Sequence, residues 1–397
     1  MQFLNSIRNK LLLGYAIVTL PALVGLGWYG GGQIETALRT QGLRRLETRI
    51  QALSDEVTAY LAGTDGDLLL LADSAPLVQY LLAVDSRDPK LVNAAERNLA
   101  QSFVRLSEVR QRYHQVRYID GAGMEKIRVD HDGERAHVVR AADMQNKRDR
   151  FYFTQAMELG EGAVLVSPID LNRERGEIEE PHRPVVRYAT PVFDARDKRR
   201  GILVINVAVQ PILDKVAGVS SGGEEMFLTD AGGFYLAHPD RAKLWGGEND
   251  LGHDANVARD HPEIGRKVLA ATGLFIDEGD DVVTLSTPIA VPGARDGRLG
   301  VLVDLMPTDV LYATASDFRT MFNVLTVVAL VIVLALGTVV AQYVTRPIAA
   351  LTAAVDRMSR GDLDEPISVD SNDETHTLAL AMERLRKSMK VMLDKYS

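Results

Sequence analysis

The stretch Val116-Arg-Tyr-Ile-Asp-Gly-Ala-Gly123 has the pattern of a β-strand that runs into a tight Asp/Gly turn, and Glu125–Val129 returns from that turn. The same pattern recurs as Met226-Phe-Leu-Thr-Asp-Ala-Gly-Gly233, followed by the return strand Phe234–Ala237. Two copies of one strand–turn–strand signal indicate that the middle of the chain repeats a single design.

The segments that follow each hairpin also match. Val185-Val186-x-x-x-Thr190-Pro191-Val192 corresponds to Val282-Val283-x-x-x-Thr287-Pro288-Ile289, and Gly201-Ile-Leu-Val corresponds to Gly300-Val-Leu-Val. A fixed order of matching strands and turns predicts an internal duplication, and therefore two tandem modules.

A long helix is predicted before the first module. Apolar residues recur there every three or four positions, which marks one stripe of a helix: Leu43, Leu46, Ile50, Leu53, Val57 and Leu61. The same spacing suits a dimer seam, so packing on the chain's own domain and pairing with a second copy are both open. A further helix is predicted from Asp88 to about Arg112.

Two apolar runs, Leu11–Gly32 and Met321–Val344, are each long enough for a helix to cross a bilayer. Arg8 and Lys10 precede the first run and Arg346 follows the second, which favours cytoplasmic ends and an extracytoplasmic middle. A cleaved signal peptide is the alternative for the first run, but its length and the lack of a small-x-small site favour an uncleaved anchor. We therefore predict a two-pass protein of the inner (plasma) membrane.

These features divide the chain into five parts. We expect a cytoplasmic stub at residues 1–10, a first membrane helix at 11–32 and an extracytoplasmic domain at 33–318. A second membrane helix follows at 321–344, and a cytoplasmic module at 345–397. Within the extracytoplasmic domain, the membrane-distal module covers about 88–215 and the membrane-proximal module about 216–312.

The segment after the second run predicts two short helices joined by a connector. Thr345-Arg-Pro-Ile348 places a proline where the first turn of a new helix tolerates it, because its missing N–H would have no helical partner there. Gly361-Asp-Leu363 ends that helix, and Asp373-Glu374 begins the next one, where the helix dipole favours acidic residues. The second helix has an apolar seam at Leu378, Met382, Leu385, Met389 and Met392.

Composition and motifs exclude several functions. The chain of 397 residues has a formal charge of −9 and no basic tract, so nucleic acid is not an expected partner. It has no cysteine, which rules out disulfides, thiolate metal sites and a cysteine nucleophile. Since common catalytic and phosphate-binding motifs are missing, we predict no catalytic residue, no metal and no cofactor. Four histidines lie near acidic residues, and we interpret them as polar loop residues: His131, His238, His253 and His261.

This layout resembles two known modules. A long helix followed by two tandem strand–turn–strand units between membrane helices is similar to the double Cache sensor domain, over about Gln33 to Phe318. The helices from about Val344 to Tyr396 resemble a HAMP domain, although His376 stands where that family usually has glycine. The resemblance implies an α+β fold: tandem PAS-like Cache modules on a long N-terminal helix, two transmembrane helices and a C-terminal HAMP helical bundle module. Because HAMP bundles contain helices from two chains, it also implies a homodimer.

The resemblance implies a ligand site in the distal module. Double Cache sensors carry an Arg-x-Trp-Tyr stretch whose arginine and aromatics hold a ligand carboxylate. Here Arg150 stands at the arginine position, Tyr152 at the tryptophan position and Phe153 at the tyrosine position. Arginine offers a two-pronged donor set that suits carboxylate or phosphate, and aromatics shape a pocket. A structural salt bridge of Arg150 among core aromatics is the alternative.

Amino-acid-binding members of the family also have an aspartate five residues after the glycine that opens the last strand, where this chain has Asn206. A neutral amide cannot pair with a ligand's amino group in the same way. Arg187 is a second cation for the pocket, and the loop that holds Ser167 and Asp170 would contribute polar lining. Arg150 and Arg187, without an acid at position 206, therefore predict a small anion such as an organic acid.

The resulting prediction is a bacterial transmembrane signalling receptor that is not an enzyme. A small ligand binds the distal module, the proximal module transmits, and the HAMP helices contact a cytoplasmic output protein or continue into an output domain. Membrane lipid and a second copy are the other expected partners. The alternatives are a tethered enzyme or solute-binding scaffold, and a non-sensing structural or accessory subunit of a membrane complex. The chain's end suits a natural stop slightly better than a cut after the HAMP segment.

Overall fold

The computed structural model describes residues 7–220 and 222–396, so residues 1–6 of the expected stub, Ser221 and Ser397 lie outside the described residues. The chain divides into two compact units. One is Gln41–Tyr312, and the other contains Met1–Thr40 and Ala313–Ser397.

Helices open and close the chain, and strands dominate its middle. The helices of the described residues are α1 (Ile7–Leu61), α2 (Thr64–Ala72), α3 (Ala75–Ser86), α4 (Pro89–Val109), α5 (Phe151–Glu158), α6 (Gln210–Gly218), α7 (Val257–Asp260), α8 (Pro262–Ala270), α9 (Thr308–Leu311), α10 (Ala313–Ser359) and α11 (Glu374–Tyr396). The strands are β1 (Tyr113–Asp120), β2 (Glu125–His131), β3 (Ala136–Val138), β4 (Leu165–Val166), β5 (Asp170–Leu171), β6 (Arg173–Glu174), β7 (Glu177–Ile178), β8 (Pro184–Phe193), β9 (Arg199–Ala208), β10 (Glu225–Thr229), β11 (Tyr235–Ala237), β12 (Phe275–Glu278), β13 (Val282–Ala290) and β14 (Arg298–Pro307).

The two modules share one sheet topology, which confirms the predicted α+β duplication. The first sheet has the order β3-β2-β1-β9-β8-β4, with β5 also paired to β8, and the second has the order β11-β10-β14-β13-β12. Each module begins with its hairpin, β1–β2 or β10–β11, and places its last strand beside the hairpin's first strand. The paired strands are antiparallel throughout both sheets.

The Asp/Gly turns of the two hairpins are built alike. The Asp120 carboxylate accepts hydrogen bonds from the backbone N–H groups of Ala122 and Met124, at 2.9 and 3.0 Å. Asp230 accepts the equivalent bonds from residues 232 and 234, both at 2.9 Å. Gly123 and Gly233 adopt φ values of 86° and 91°, which glycine reaches without strain.

The apolar stripe on the second part of α1 packs on the chain's own domain. Its members from Leu46 to Leu61 are at most 6% exposed, and they belong to one core with the sheets and with helices α2 to α4. This resolves the open alternative in favour of internal packing. Helices α2 and α3 were not predicted from the sequence.

The unit that contains both chain ends is helical. Helices α1 and α10 each hold a stretch long and apolar enough to cross a membrane. A Cβ atom at Gly337 would lie 2.7 Å from the Tyr15 ring, so the two helices pack closely at that point. The prediction that a new helix begins near Pro347 is wrong, because α10 continues through it. A proline removes only one helical N–H, and the turns on either side still form.

We predict that Gly300→Ala destabilises the sensor unit by about 1–3 kcal/mol, the range for overpacked sites. A Cβ atom at Gly300 would lie 2.1 Å from the Thr229 carbonyl oxygen, just as one at Gly201 would lie 2.0 Å from that of Ile119. Gly160→Ala is the control, since an added methyl group there meets nothing within 4 Å. Urea unfolding of the isolated unit Gln41–Tyr312 measures both, and equal midpoints would contradict the steric explanation.

Candidate functional site

One face of the first module's sheet carries polar and charged side chains under a cover. Directly paired residues of neighbouring strands point to the same face, so the strand register brings five such side chains together: Gln115, Arg117, Arg128, Arg187 and Asn206. We call these five residues the polar cluster. Helix α5 and the segment 165–180 cover it. All five residues of the cluster are buried.

Arg117 is deeply buried, and only 2% of it is exposed. Its Nη1 donates to Glu125 Oε1 at 3.2 Å and to the Tyr152 hydroxyl at 3.4 Å, and its Nη2 donates to Asn206 Oδ1 at 2.7 Å. Its Nε, also buried, finds no hydrogen-bond partner within residues 7–220 and 222–396. The guanidinium therefore has one buried N–H without a partner among the described residues.

Arg187 is held by the covering segment. Its Nη1 donates to Asp170 Oδ1 at 2.5 Å, and its backbone N–H donates to Ser167 Oγ at 2.9 Å. The Tyr152 ring lies near both buried arginines, with its centroid 5.6 Å from the Arg117 guanidinium carbon and 5.4 Å from that of Arg187. At these distances an aromatic ring attracts a cation.

Asn206 joins both strands and the covering segment. Its Oδ1 accepts from Arg117, and its Nδ2 donates to Gln115 Oε1 at 2.9 Å and to Asn172 Oδ1 at 3.3 Å. Each polar atom of the amide is thus engaged by a protein group. This position organises the cluster.

Glu174 balances the other side of the cluster. It accepts hydrogen bonds from Arg128 at 2.9 Å, Gln115 at 2.9 Å and Gln145 at 2.6 Å. Burial alone would raise the pKa of Glu174, but the positive charges of Arg128 and Lys147 hold that pKa well below its usual range. Burial, and then the charge of Arg117, lower the pKa of Lys147 to about 8.

The structure brings together five of the seven residues predicted for the site: Tyr152, Ser167, Asp170, Arg187 and Asn206. Arg150 lies half-buried immediately before helix α5. Phe153 packs beside the cluster against Ile119 and Val204, in the apolar part of the same face.

The prediction of an anion rested on two arginines without an acid at position 206. The structure supplies that acid from another element, because Asp170 folds over β8 and pairs with Arg187. Sequence reasoning also missed six residues of the site, which are Gln115, Arg117, Glu125, Arg128, Lys147 and Glu174. In the sequence Arg117 alternates with the apolar residues Val116 and Tyr118 as a solvent-facing residue would, but the strand is buried on both faces.

The segment that covers the cluster also contacts the second module. The Val166 N–H donates to the Gly293 carbonyl at 3.0 Å, the Leu171 N–H donates to Asp250 Oδ1 at 2.9 Å, and Arg173 donates to the Asn249 carbonyl at 2.7 Å. Burial raises the pKa of Asp250 to about 6. The same short stretch of chain therefore touches the polar cluster and the neighbouring module.

Two family models match this chain. Residues 66–294 match the sensor domain of bacterial histidine kinases, and residues 339–390 match the HAMP domain. The first match covers more than half of the chain. The chain belongs to the bacterial histidine kinase sensor-domain family. Its sensor domain and HAMP domain together form an arrangement shared by chemoreceptors and two-component histidine kinases, so the predicted resemblance is confirmed.

Two curated relatives match parts of the chain. The methyl-accepting chemotaxis protein PctB of Pseudomonas aeruginosa is 26% identical over 207 residues, which is 51% of this chain and 31% of that protein. The heme sensor protein HssS of Staphylococcus haemolyticus is 31% identical over 126 residues, which is 32% of this chain and 26% of that protein. The matched part thus spans less than a third of either relative.

Solved sensor domains share the fold. The domain of a sensory box/GGDEF family protein from Vibrio parahaemolyticus superposes with a TM-score of 0.57 at 21% identity and covers 69% of this chain and 99% of that one. The extracellular domain of the histidine kinase vpHK1S-Z8 has a TM-score of 0.51 at 22% identity, with 68% and 99% coverage.

We predict that the sensor domain becomes more stable between about pH 8 and pH 10 through Lys147. Its pKa is about 8 in the folded state against 10.5 ordinarily. In this window the unfolded state binds more protons, so the free energy of unfolding rises with pH, by at most about 3 kcal/mol. Below pH 8 the ammonium is charged in both states, and the full penalty of burying it applies.

Urea unfolding of Gln41–Tyr312 at several pH values measures this rise. Lys147→Gln should abolish it, and Lys198→Gln, at an exposed position, should preserve it. The same pH slope in wild type and Lys147→Gln would contradict the assignment.

Proposed function

We propose that this chain is a receptor of the bacterial inner membrane that binds a small organic anion on the polar cluster of its first module. The observation that carries the proposal is Arg117, a guanidinium 2% exposed whose Nε has no partner in the described part of the chain. Buried charged groups strongly favour complete hydrogen bonding. A ligand carboxylate that accepts from Nε would complete it.

One electrostatic feature of the cluster supports an anion, although its arginines are paired with the carboxylates of Glu125, Asp130, Asp170 and Glu174. The positive charge of Arg117 contributes to the lowered pKa of Lys147, so the two cations repel each other despite the carboxylates around them. A bound carboxylate would relieve that repulsion. A ligand cation would strengthen it.

The other predicted residues have distinct proposed roles. Arg150, half-buried at the start of α5, would contribute a second guanidinium to the ligand, and the Tyr152 ring would form a wall beside both buried arginines. Ser167, Asp170, Arg187 and Asn206 hold the shape of the site. Phe153 closes its apolar end.

The signal would leave the site through the covering segment. A ligand that changes the hydrogen bonds of Asp170 or Asn172 shifts Leu171 and Arg173, which contact the second module. Ligand binding then selects between two arrangements of this packed interface. The receptor would pass the change to its HAMP domain and to a cytoplasmic output partner or domain.

We also propose a topology with both chain ends in the cytoplasm and a homodimer of HAMP domains. The basic flanks at Arg8, Lys10 and Arg346 support the topology. The α11 seam supports the dimer, because Leu378 is 48% exposed and Leu385 is 56% exposed in the single chain. A groove of about 420 Å³ between α10 and α11, lined in part by Leu351, Leu378 and Met382, has room for apolar side chains of a second copy.

Arg150→Ala should weaken binding of the recognised organic acid at least tenfold without changing the thermal midpoint of the free protein, because Arg150 is half-buried and lies at a helix start. Thermal shift of the full chain in lipid nanodiscs against a set of organic acids finds the ligand. At 100 times its dissociation constant a ligand stabilises by about 2.7 kcal/mol.

Arg148→Ala, at a neighbouring exposed position, is the matched control. Unchanged affinity in Arg150→Ala would remove that residue from the site. A flat response to every organic acid would reject the anion proposal.

A single cysteine at Leu385 should form a disulfide-linked dimer in membranes under mild oxidation, since a parallel HAMP bundle brings the two copies of the seam together. Lys387→Cys, on the opposite side of α11, should give little cross-linking. The chain has no native cysteine, so each product has a single origin. Equal yields at both positions would contradict the bundle.

A further inference from the structure

The second module has its own covered face at the position of the polar cluster. Alignment of the two hairpin aspartates, Asp120 and Asp230, places Phe227 where the first module has Arg117. The matched strands place Thr284 where it has Arg187. Neutral side chains thus replace both buried arginines.

The strand register defines this face. Val301, Val303 and Leu305 of β14 pack beneath helices α7 and α8, in one apolar cluster with Val257 and Val268. The directly paired residues on neighbouring strands are Thr229, Ser286 and Thr284, opposite Val301, Val303 and Leu305 respectively. These three hydroxyl groups therefore lie on the same covered face.

Five buried polar atoms on this face have no hydrogen-bond partner among the residues that the structure describes. They are Thr229 Oγ1, Thr284 Oγ1, Ser286 Oγ, His238 Nε2 and His261 Nε2. The three hydroxyl-bearing residues are 0% exposed, and His238 is 3% exposed. We call these atoms the open set. Buried polar groups are nearly always satisfied in native proteins, so five on one face indicate partners from outside the chain.

The chemistry of His238 specifies one of those partners. Its Nδ1 accepts a hydrogen bond from the Asp240 backbone N–H at 2.9 Å, so the neutral ring carries its proton on Nε2. Burial lowers the pKa of His238, which favours that neutral form. The open atom is therefore an N–H donor, and it needs an acceptor such as a carbonyl oxygen.

Aromatic rings surround this donor. The His238 ring lies 4.7 Å from Tyr235 and 5.6 Å from Phe227, measured between centroids. The His261 ring stacks on Phe227 with 11° between their planes, at 6.4 Å. His261 thus occupies the place over Phe227 that Tyr152 occupies over Arg117 in the first module. Such walls suit a ligand with a flat or apolar surface.

The lysines that border the face are already paired. Lys243 contacts Asp260 at 2.7 Å, and Lys267 contacts Asp277 at 2.8 Å. Neither lysine therefore offers a free positive charge to an anionic ligand, and a cationic ligand would face the open His238 N–H donor. An uncharged ligand meets neither obstacle.

We propose that this face of the second module binds a small uncharged molecule with a carbonyl oxygen and a flat or apolar surface, of the amide or neutral heterocycle class. The site is separate from the polar cluster. It lies in the module that the sequence assigned to transmission alone.

Three amide–carboxylate pairs test the proposal on the full chain in lipid nanodiscs: acetamide and acetate, benzamide and benzoate, nicotinamide and nicotinate. Saturation-transfer NMR, with empty nanodiscs subtracted, detects binding, and titration gives the dissociation constant. At least one amide should bind, and the double variant Thr284→Val/Ser286→Ala should weaken it at least tenfold. Thr287→Val, on the opposite face of β13, is the matched control and should bind as wild type does.

The unliganded proteins provide a second measurement. Thr284→Val keeps the side-chain volume and removes an open polar atom, so it should raise the thermal midpoint. A lower midpoint would show that the hydroxyl has partners in the free protein and would overturn the proposal. Binding of none of the amides, a response to the carboxylates alone, or full amide binding by the double variant would overturn it as well.

Discussion

Two arginines buried under one face of the first module's sheet constrain the rest of the sensor domain. Arg117 and Arg187 are each 2% exposed, and a charge in such a place requires paired and hydrogen-bonded neighbours. Glu125 of the hairpin pairs with Arg117, but the partner of Arg187 is Asp170, from the segment that covers the sheet. Glu174 of the same segment pairs with the neighbouring Arg128. That segment forms only short two-residue strands, and its side chains add contacts to the sheet through Asp170, Asn172 and Glu174. The buried charges thus determine how the cover folds.

The covering segment also explains how one module can affect the other. The side chains of Asp170, Asn172 and Glu174 contact the polar cluster. Between them, the Leu171 backbone N–H donates to Asp250 and the Arg173 side chain donates to the Asn249 carbonyl, both in the second module. A change at the cluster needs no long path to reach the next module, because the two sets of contacts alternate along five residues of chain.

Short-range patterns predicted the architecture well. The Asp/Gly turns and the matching strands predicted the duplicated sheets. A turn aspartate bonds to backbone groups only a few residues away, and a close-approach glycine contacts the strand directly beside it. The covered face was harder to predict. Arg117 lies between apolar residues and looks like a solvent-facing position, and only helix α5 and the segment around Asp170, both distant in sequence, bury it. Helices α2 and α3 were missed for a related reason. Their hydrophobic residues do not follow a clear helical period, and tertiary packing explains their positions better. Such patterns cannot predict the ligand class. It depends on which buried polar atoms have no hydrogen-bond partner once all of these elements are packed together.

The two modules share one sheet topology but differ in charge on the equivalent face. The first module carries buried arginines there, and the second carries neutral side chains. That difference has a mechanical consequence in β14. Its residues Val301, Val303 and Leu305 underlie the open set, and Asp304, which points to the other face, pairs with Arg49 of α1 at 2.7 Å. Asp304 is 0% exposed, so it cannot exchange this partner for water when the strand moves. An occupant of the second module's face would therefore act on a strand whose opposite side is tied to the long helix by an ion pair with a buried carboxylate. The first module reaches the same β13–β14 hairpin through Gly293. Both proposed sites thus bear on one structural element, and through it an anionic and an uncharged ligand would act on the same hairpin.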